Sequence, residues 1–155
     1  MLIASQQVSM TACQRENTCT NPRAGYASAG IFYYVDAICF GIERLGSPAA
    51  LPLLERLHSN PLFHAQHTSQ GYQVDYFPER RAYLELLIAR ALARCGSPRG
   101  YRTLIAYPTD ARALLARHAP SELNRLTGQS FGSDPAAWVA WLATCSRRYV
   151  SVWAA

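Results

Sequence analysis

From residue 28 onward the apolar positions recur every three or four residues, and this spacing turns one stripe of a helix toward a core. Ile31, Tyr34, Val35, Ile38, Ile42 and Leu45 form the first such stripe. A second helix is predicted from Pro48 to about His58, with Leu51, Leu54 and Leu57 on one side and Glu55 and Arg56 on the other. The pattern then returns. Leu84, Leu87, Ile88, Ala91, Leu92 and Cys95 make a third stripe, with Glu79, Arg80, Arg81, Glu85, Arg90 and Arg94 on the remaining faces and Arg81 paired with Glu85 one turn on. A fourth helix is expected from Pro98 to about Tyr107, burying Tyr101, Leu104 and Ile105. These periods predict an all-α fold.

The joints inside each pair are the same tripeptide, Gly46-Ser47-Pro48 and Gly96-Ser97-Pro98, placed 50 residues apart. Glycine takes the left-handed conformation that closes one helix, serine caps the next, and proline fits a first turn that needs no backbone donor. The flanking helices align without gaps, with Tyr33 matching Tyr83, Ile38 matching Ile88 and Arg44 matching Arg94. A third pair is degenerate: a short helix over Ala111–His118 with Leu114 and Leu115, then another from Ser121 with Leu123 and Leu126. Its second member starts at Ser133-Asp134-Pro135 and carries Trp138 and Trp141 on one face as core residues.

The organisation is therefore an irregular lead segment (1–27), a helical repeat domain (28–148) with an insertion at 59–78, and a short tail (149–155). An insertion of that length is long for a structureless connection, which makes it a candidate functional element. His64, His67, Tyr72, Asp75, Tyr76 and Phe77 lie in it.

The residues resemble the HEAT-repeat family, whose units are antiparallel helix pairs with a Gly-Asp/Ser-Pro turn followed by Ala and an apolar second helix. Gly46-Ser47-Pro48-Ala49-Ala50-Leu51-Pro52-Leu53-Leu54 carries that likeness, which covers 28–143. It implies a short right-handed α-solenoid of two full pairs and one degenerate pair, a frame that works by binding. A narrower likeness runs from Tyr83-Leu84-Glu85-Leu86-Leu87-Ile88 through Cys95-Gly96-Ser97-Pro98, with 123–128 and Asp134-Pro135-Ala136-Ala137-Trp138. It is similar to helical tails of bacterial FAD-dependent oxidoreductases. That likeness implies an accessory or truncated module lacking the cofactor domain, since none of the nine glycines forms a Gly-x-Gly-x-x-Gly turn.

Charge and candidate chemistry add less. The net charge of +5 comes from fifteen Arg and no Lys against ten carboxylates. Uniform use of Arg reads as coding bias rather than a nucleic-acid surface, and Arg also pairs with Glu and stacks on Tyr. Five cysteines without a C-x-x-C pair do not form a disulfide framework or a strong zinc signature, and Cys39 and Cys95 read as core thiols. His58, His64 and His67 with Asp75 are a conceivable ligand set, but the spacing favours solvated or backbone-bonded loop residues, so no metal is expected. No G-x-S-x-G elbow, H-E-x-x-H helix or P-loop is present, so no catalytic residue and no cofactor is expected.

The opening residues do not resemble a secretory signal, and the longest apolar stretch, 31–42, is too short to span a bilayer, so a cytoplasmic location is expected. Protein association is the expected role, through the second helix of each pair and the 59–78 insertion. Arg56, Tyr72, Tyr76, Arg99 and Arg102 are the expected contact residues, with a protein partner or an adjacent catalytic domain preferred to nucleic acid.

Overall fold

Each predicted joint breaks the chain between helices. In the computed structural model, which describes residues 22–71 and 74–152 and side chains only between 30 and 145, the helices are α1 (Pro22–Leu45), α2 (Leu51–His58), α3 (Tyr76–Arg94), α4 (Pro98–Ala106), α5 (Ala113–Thr127) and α6 (Pro135–Val152). Single 3₁₀ turns at Pro48–Ala50 and Tyr107–Thr109 complete the order. No strand occurs among the described residues. Two compact units divide within α1, at Tyr34 and Val35. The described part of the first is the N-terminal half of that helix, where Ile31, Tyr33 and Tyr34 are exposed. Everything that follows concerns the second.

The joints work as their chemistry demands. Gly46 and Gly96 take φ of 59° and 93°, the left-handed region that a side chain opposes. Ser47 and Ser97 are extended and the prolines enter the first turn. The copies differ in one respect: Pro52 near the start of α2 has no N–H to give Pro48, so a 3₁₀ turn precedes that helix. At the third copy Asp134 is the cap, its Oδ1 accepting from the N–H groups of Ala136 at 2.9 Å and Ala137 at 3.3 Å.

Helices α3 and α4 form the centre. They run antiparallel: Gly100 near the start of α4 lies on the backbone of Ala89 and Ala93, and Tyr107 just beyond its end reaches Ala82 and Glu85. Gly100 permits the approach, since an added Cβ would sit 2.3 Å from the Ala89 carbonyl oxygen. The core is built of Ala82, Leu86, Ala89 and Ala93 of α3, Leu104, Ile105 and Tyr107, Leu115, Ala119 and Leu123 of α5, and Trp138 of α6. Helix α2 packs on α3, and α4 touches both α5 and α6.

Side-chain links join the central pair to the helices around it. Arg90 of α3 bonds Glu43 of α1 on one side and approaches Glu122 of α5 at 3.6 Å on the other. On the opposite side of the pair, His58 of α2 meets Thr103 of α4, and Tyr101 of α4 meets Trp141 of α6 edge to face. Arg90 thus links α3 to α1 and α5, and α4 is linked to α2 and α6 through single side-chain contacts.

Several expectations need correction. The two short helices expected on either side of Pro120 are one helix, α5, with Pro120 inside it. Leu115, Ala119 and Leu123 are buried on one stripe across that proline, and this packing offsets the single donor the ring removes. The first helix begins at Pro22 rather than Ser28, and α3 begins at Tyr76, so the connection spans 59–75. On α1 the buried positions are Val35 and Cys39, whereas Ile38 and Leu45 of the expected stripe are exposed, Leu45 at 80%. Glu85, expected on an outer face with Arg81, is only 3% exposed and bonds elsewhere. Tyr101 is half-buried rather than buried. The expected core roles of Cys39, Cys95 and Trp138 hold, and the Trp138 indole N–H donates to the Gly132 carbonyl at 3.0 Å. Cys13 and Cys19 lie outside the described residues.

Candidate functional site

Three places concentrate polar or exposed groups. The first is a groove of about 350 Å³ between α4 and α6, lined by Ile105, Val139, Leu142 and Ala143 with Arg102 beside them. Ile105 of α4 is buried in the core, whereas on α6 Leu142 is half-buried and Ala143 exposed. Val139 is 56% exposed, a branched side chain left in water on a helix whose Trp138 is fully buried. Four apolar side chains and a guanidinium suit an amphipathic or acidic-flanked segment.

The second is a cleft of about 400 Å³ between α1, α3 and α5. Arg44, Arg90, Arg94 and Arg125 line it with Glu43, Glu122, Phe40 and Leu126. Its charges are largely spent on one another. Glu122 accepts from Arg125 at 3.0 Å and faces Arg90 and His118, and Arg44 stacks over Phe40. Burial opposes the charge on Arg90, but the bond to Glu43 and the proximity of Glu122 hold its pKa above the usual value.

The third is the centre that fixes the 59–75 connection. Ala65 adopts φ 56°, a left-handed backbone rare for alanine, and this turns two successive N–H groups toward one carboxylate. Ala65 donates to Oε1 of Glu85 and Gln66 to Oε2, each at 2.8 Å. The Tyr107 hydroxyl donates to Oε2 at 2.6 Å, and burial followed by the charge of Glu85 pushes that phenol far up from its ordinary pKa. Farther along, the Thr68 N–H donates to Asp110 at 3.0 Å, the Ala111 N–H to the Thr68 carbonyl, and Arg112 to the Gln66 carbonyl. Asp110 and Arg112 are a buried pair at 2.7 Å. Burial alone would raise the Asp110 pKa, but the Arg112 side chain and the N–H groups of Arg112 and Thr68 hold it below the carboxylate range.

Beside this centre lies His58, 2% exposed at the end of α2. Thr103 donates its hydroxyl to the Arg99 carbonyl, so it accepts from Nε2–H of His58 at 2.9 Å. The lone pair then falls on Nδ1, which has no hydrogen-bond partner. Burial, with the positive charge of Arg99, lowers the pKa of His58 and keeps the ring neutral. His64 packs edge-on against it at 5.3 Å between centroids. One donor atom each from His58, His64 and Glu85 lie within 4.8 Å of one another, a set able to hold a metal ion.

The expected contact residues are scattered among these places. Arg102 lines the apolar groove, and Arg56 is exposed on α2. Arg99 is half-buried at the start of α4, its carbonyl engaged by Thr103. Tyr76 is exposed at the first turn of α3, stacked under Arg80 and edge-on to Phe77. Tyr72 lies outside the described residues. His67, paired with His64 in the sequence reading, bonds Thr109 instead, and Asp75 caps α3 through the Phe77 N–H. Glu85 was missed as a site residue. Its one signal was an acidic position inside an otherwise unbroken apolar run, Leu84 to Ala89.

Compared with protein-family models, curated proteins and solved structures, the chain matches none of them.

Proposed function

We propose that the chain is a short HEAT-like stack of helix pairs whose work is protein association through its second-helix row. What supports the repeat reading is the pairing of rows: Arg90 joins the three first helices, while His58–Thr103 and Tyr101–Trp141 join the three second ones. Stacked pairs present one row as a continuous rigid surface on which shallow contacts accumulate.

The observation that carries the binding role is the groove between α4 and α6, where Val139 and Ala143 are exposed and Leu142 half-buried over buried Ile105, with exposed Arg102 beside them. Apolar side chains held open on rigid helices gain free energy when a partner covers them, and a flanking Arg orients an acidic residue on that partner. Arg56 on α2, Arg99 on α4, Tyr76 at the first turn of α3 and Tyr72, which falls at sequence position 72 of the 59–75 connection, complete the proposed contact set.

A second reading places the chain as a helical module against an adjacent catalytic domain, of the flavin-oxidoreductase type. It is favoured by the exposed Ile38, Phe40 and Leu45 of α1 and Leu53 of α2, because the end of a free stack needs a polar cap.

A photo-crosslinking side chain placed at Arg102, at Leu45 and at Arg117 in the full chain separates these readings. Under the first, the Arg102 position gives a discrete crosslinked species in cells, and Val139→Asp abolishes it. Crosslinking confined to Leu45 transfers the role to the α1–α2 surface. Equal yields at all three positions overturn both. Nucleic-acid binding would show instead as heparin retention that collapses with modest salt.

A further inference from the structure

His58, His64 and Glu85 come from three separate elements, the end of α2, the connection after it and the middle of α3, and nothing in their spacing brings them together. We propose that they form a binding site for a divalent transition-metal ion of the zinc class, which clasps the 59–75 connection onto α2 and α3. The site is independent of the docking groove.

Three features point to an ion. The first is the unpartnered Nδ1 of His58, in a side chain 2% exposed. A buried lone pair without a donor costs free energy, and a metal ion satisfies it. The Nε2–H bond to Thr103 is the outer-shell contact that a metal-bound imidazole uses to fix its tautomer.

The second is the state of Glu85. A carboxylate offers about four lone-pair sites. Oε2 accepts from both Gln66 and Tyr107, while Oε1 accepts only from Ala65. Oε1 therefore has one site left, and it lies 4.0 Å from Nε2 of His58, on the ring whose other nitrogen, Nδ1, is unpartnered. The three donors already in place orient the carboxylate as an outer shell would.

The third is the backbone at His64. The left-handed Ala65 immediately after it holds this residue beside Glu85, and its imidazole packs against His58. Donors bound tetrahedrally at about 2.1 Å stand roughly 3.4 Å apart. The present spread of up to 4.8 Å closes by movement of His64, which is exposed and free of helix constraints, together with a smaller adjustment of the His58 ring toward Glu85. Two nitrogens and one oxygen leave a fourth position toward solvent, on the His64 side, for water. Two imidazoles and a carboxylate suit zinc, cobalt(II) or nickel(II) over calcium or magnesium, which prefer all-oxygen sets.

The test is titration of the full chain with Co²⁺ and then Zn²⁺, read by visible absorption, by calorimetry and by nitrogen NMR of the imidazoles. Binding of one ion with cobalt d–d bands, no sulfur charge-transfer band, and shifts of His58 Nδ1 and His64 is expected. His64→Ala, at an exposed position, should weaken binding by roughly tenfold or more, while His67→Gln should leave it unchanged, with helix content the same in both. Retained affinity in His64→Ala, a thiolate band marking a cysteine site, unshifted His58 resonances, or no binding below millimolar ion would each overturn the proposal.

Discussion

At the residue scale the sharpest demands fall on Gly100, Tyr107 and Asp110. A Cβ on Gly100 would press into the Ala89 carbonyl and Ala93 nitrogen, backbone atoms that cannot turn aside. Gly100→Ala is expected to cost about 3 kcal/mol in urea unfolding, the upper part of the overpacking range, because α4 must lift from α3. A change below about 0.5 kcal/mol would show that the two helices separate easily. Tyr107→Phe removes one donor from the buried Glu85 carboxylate, and a loss of about 1–3 kcal/mol is expected by the same measurement. Asp110 gives a pH dependence of known sign. Its folded pKa lies below the unfolded one, so the unfolded chain takes up the proton first. The stabilisation is complete above the ordinary carboxylate range and fades as pH falls through the folded value, and Asp110→Asn should flatten that acid limb of the urea midpoint. Glu85 shows why such residues resist a sequence reading. Arg81 one turn earlier makes it look like half of a surface pair, and its true partners are backbone amides twenty residues away and a tyrosine beyond the next helix.

At the element scale the legible features were those decided locally. Gly-Ser-Pro joints need only the conformational preferences of three residues, and both appear where expected, with the capping Asp134 as a third. Gly96→Ala, forced to φ 93°, is expected to destabilise by about 1–2 kcal/mol. Gly41→Ala, inside α1 with nothing within 4 Å of its Cβ, should instead stabilise by about 0.5–1 kcal/mol, and thermal melts of the two variants should move in opposite directions. What depends on neighbours was not legible. The apolar residues of α1 are spread around much of its circumference, so period alone does not select the face. The Glu43–Arg90 bond and the packing of Val35 and Cys39 do. Pro120 read as a boundary because proline disfavours helix interiors, whereas the three apolar residues it interrupts share one core.

At the scale of the whole molecule, all-helical architecture was readable from periodicity, and the described residues contain no helix long and apolar enough to cross a membrane. The links between helices distant in the chain were not readable, since contacts such as Arg90–Glu122 and His58–Thr103 have no local signal. The core thiol Cys39 offers a probe of this packing. Burial, then the charges of Glu43 and Asp36, push its pKa up to about 12, so it stays a protonated, unreactive thiol in the folded state. Its labelling by a disulfide reagent at neutral pH should track global unfolding and accelerate in Gly100→Ala.

The segment that carries Ala65 and Thr68 is held from two directions, by Glu85 of α3 and by Asp110 and Ala111 past the end of α4. Its anchors exist only once those two helices have docked, so it is expected to settle after them. Stopped-flow experiments on Thr68→Gly should therefore show faster unfolding with the folding rate almost untouched, the signature of a seam sealed after the barrier has been crossed.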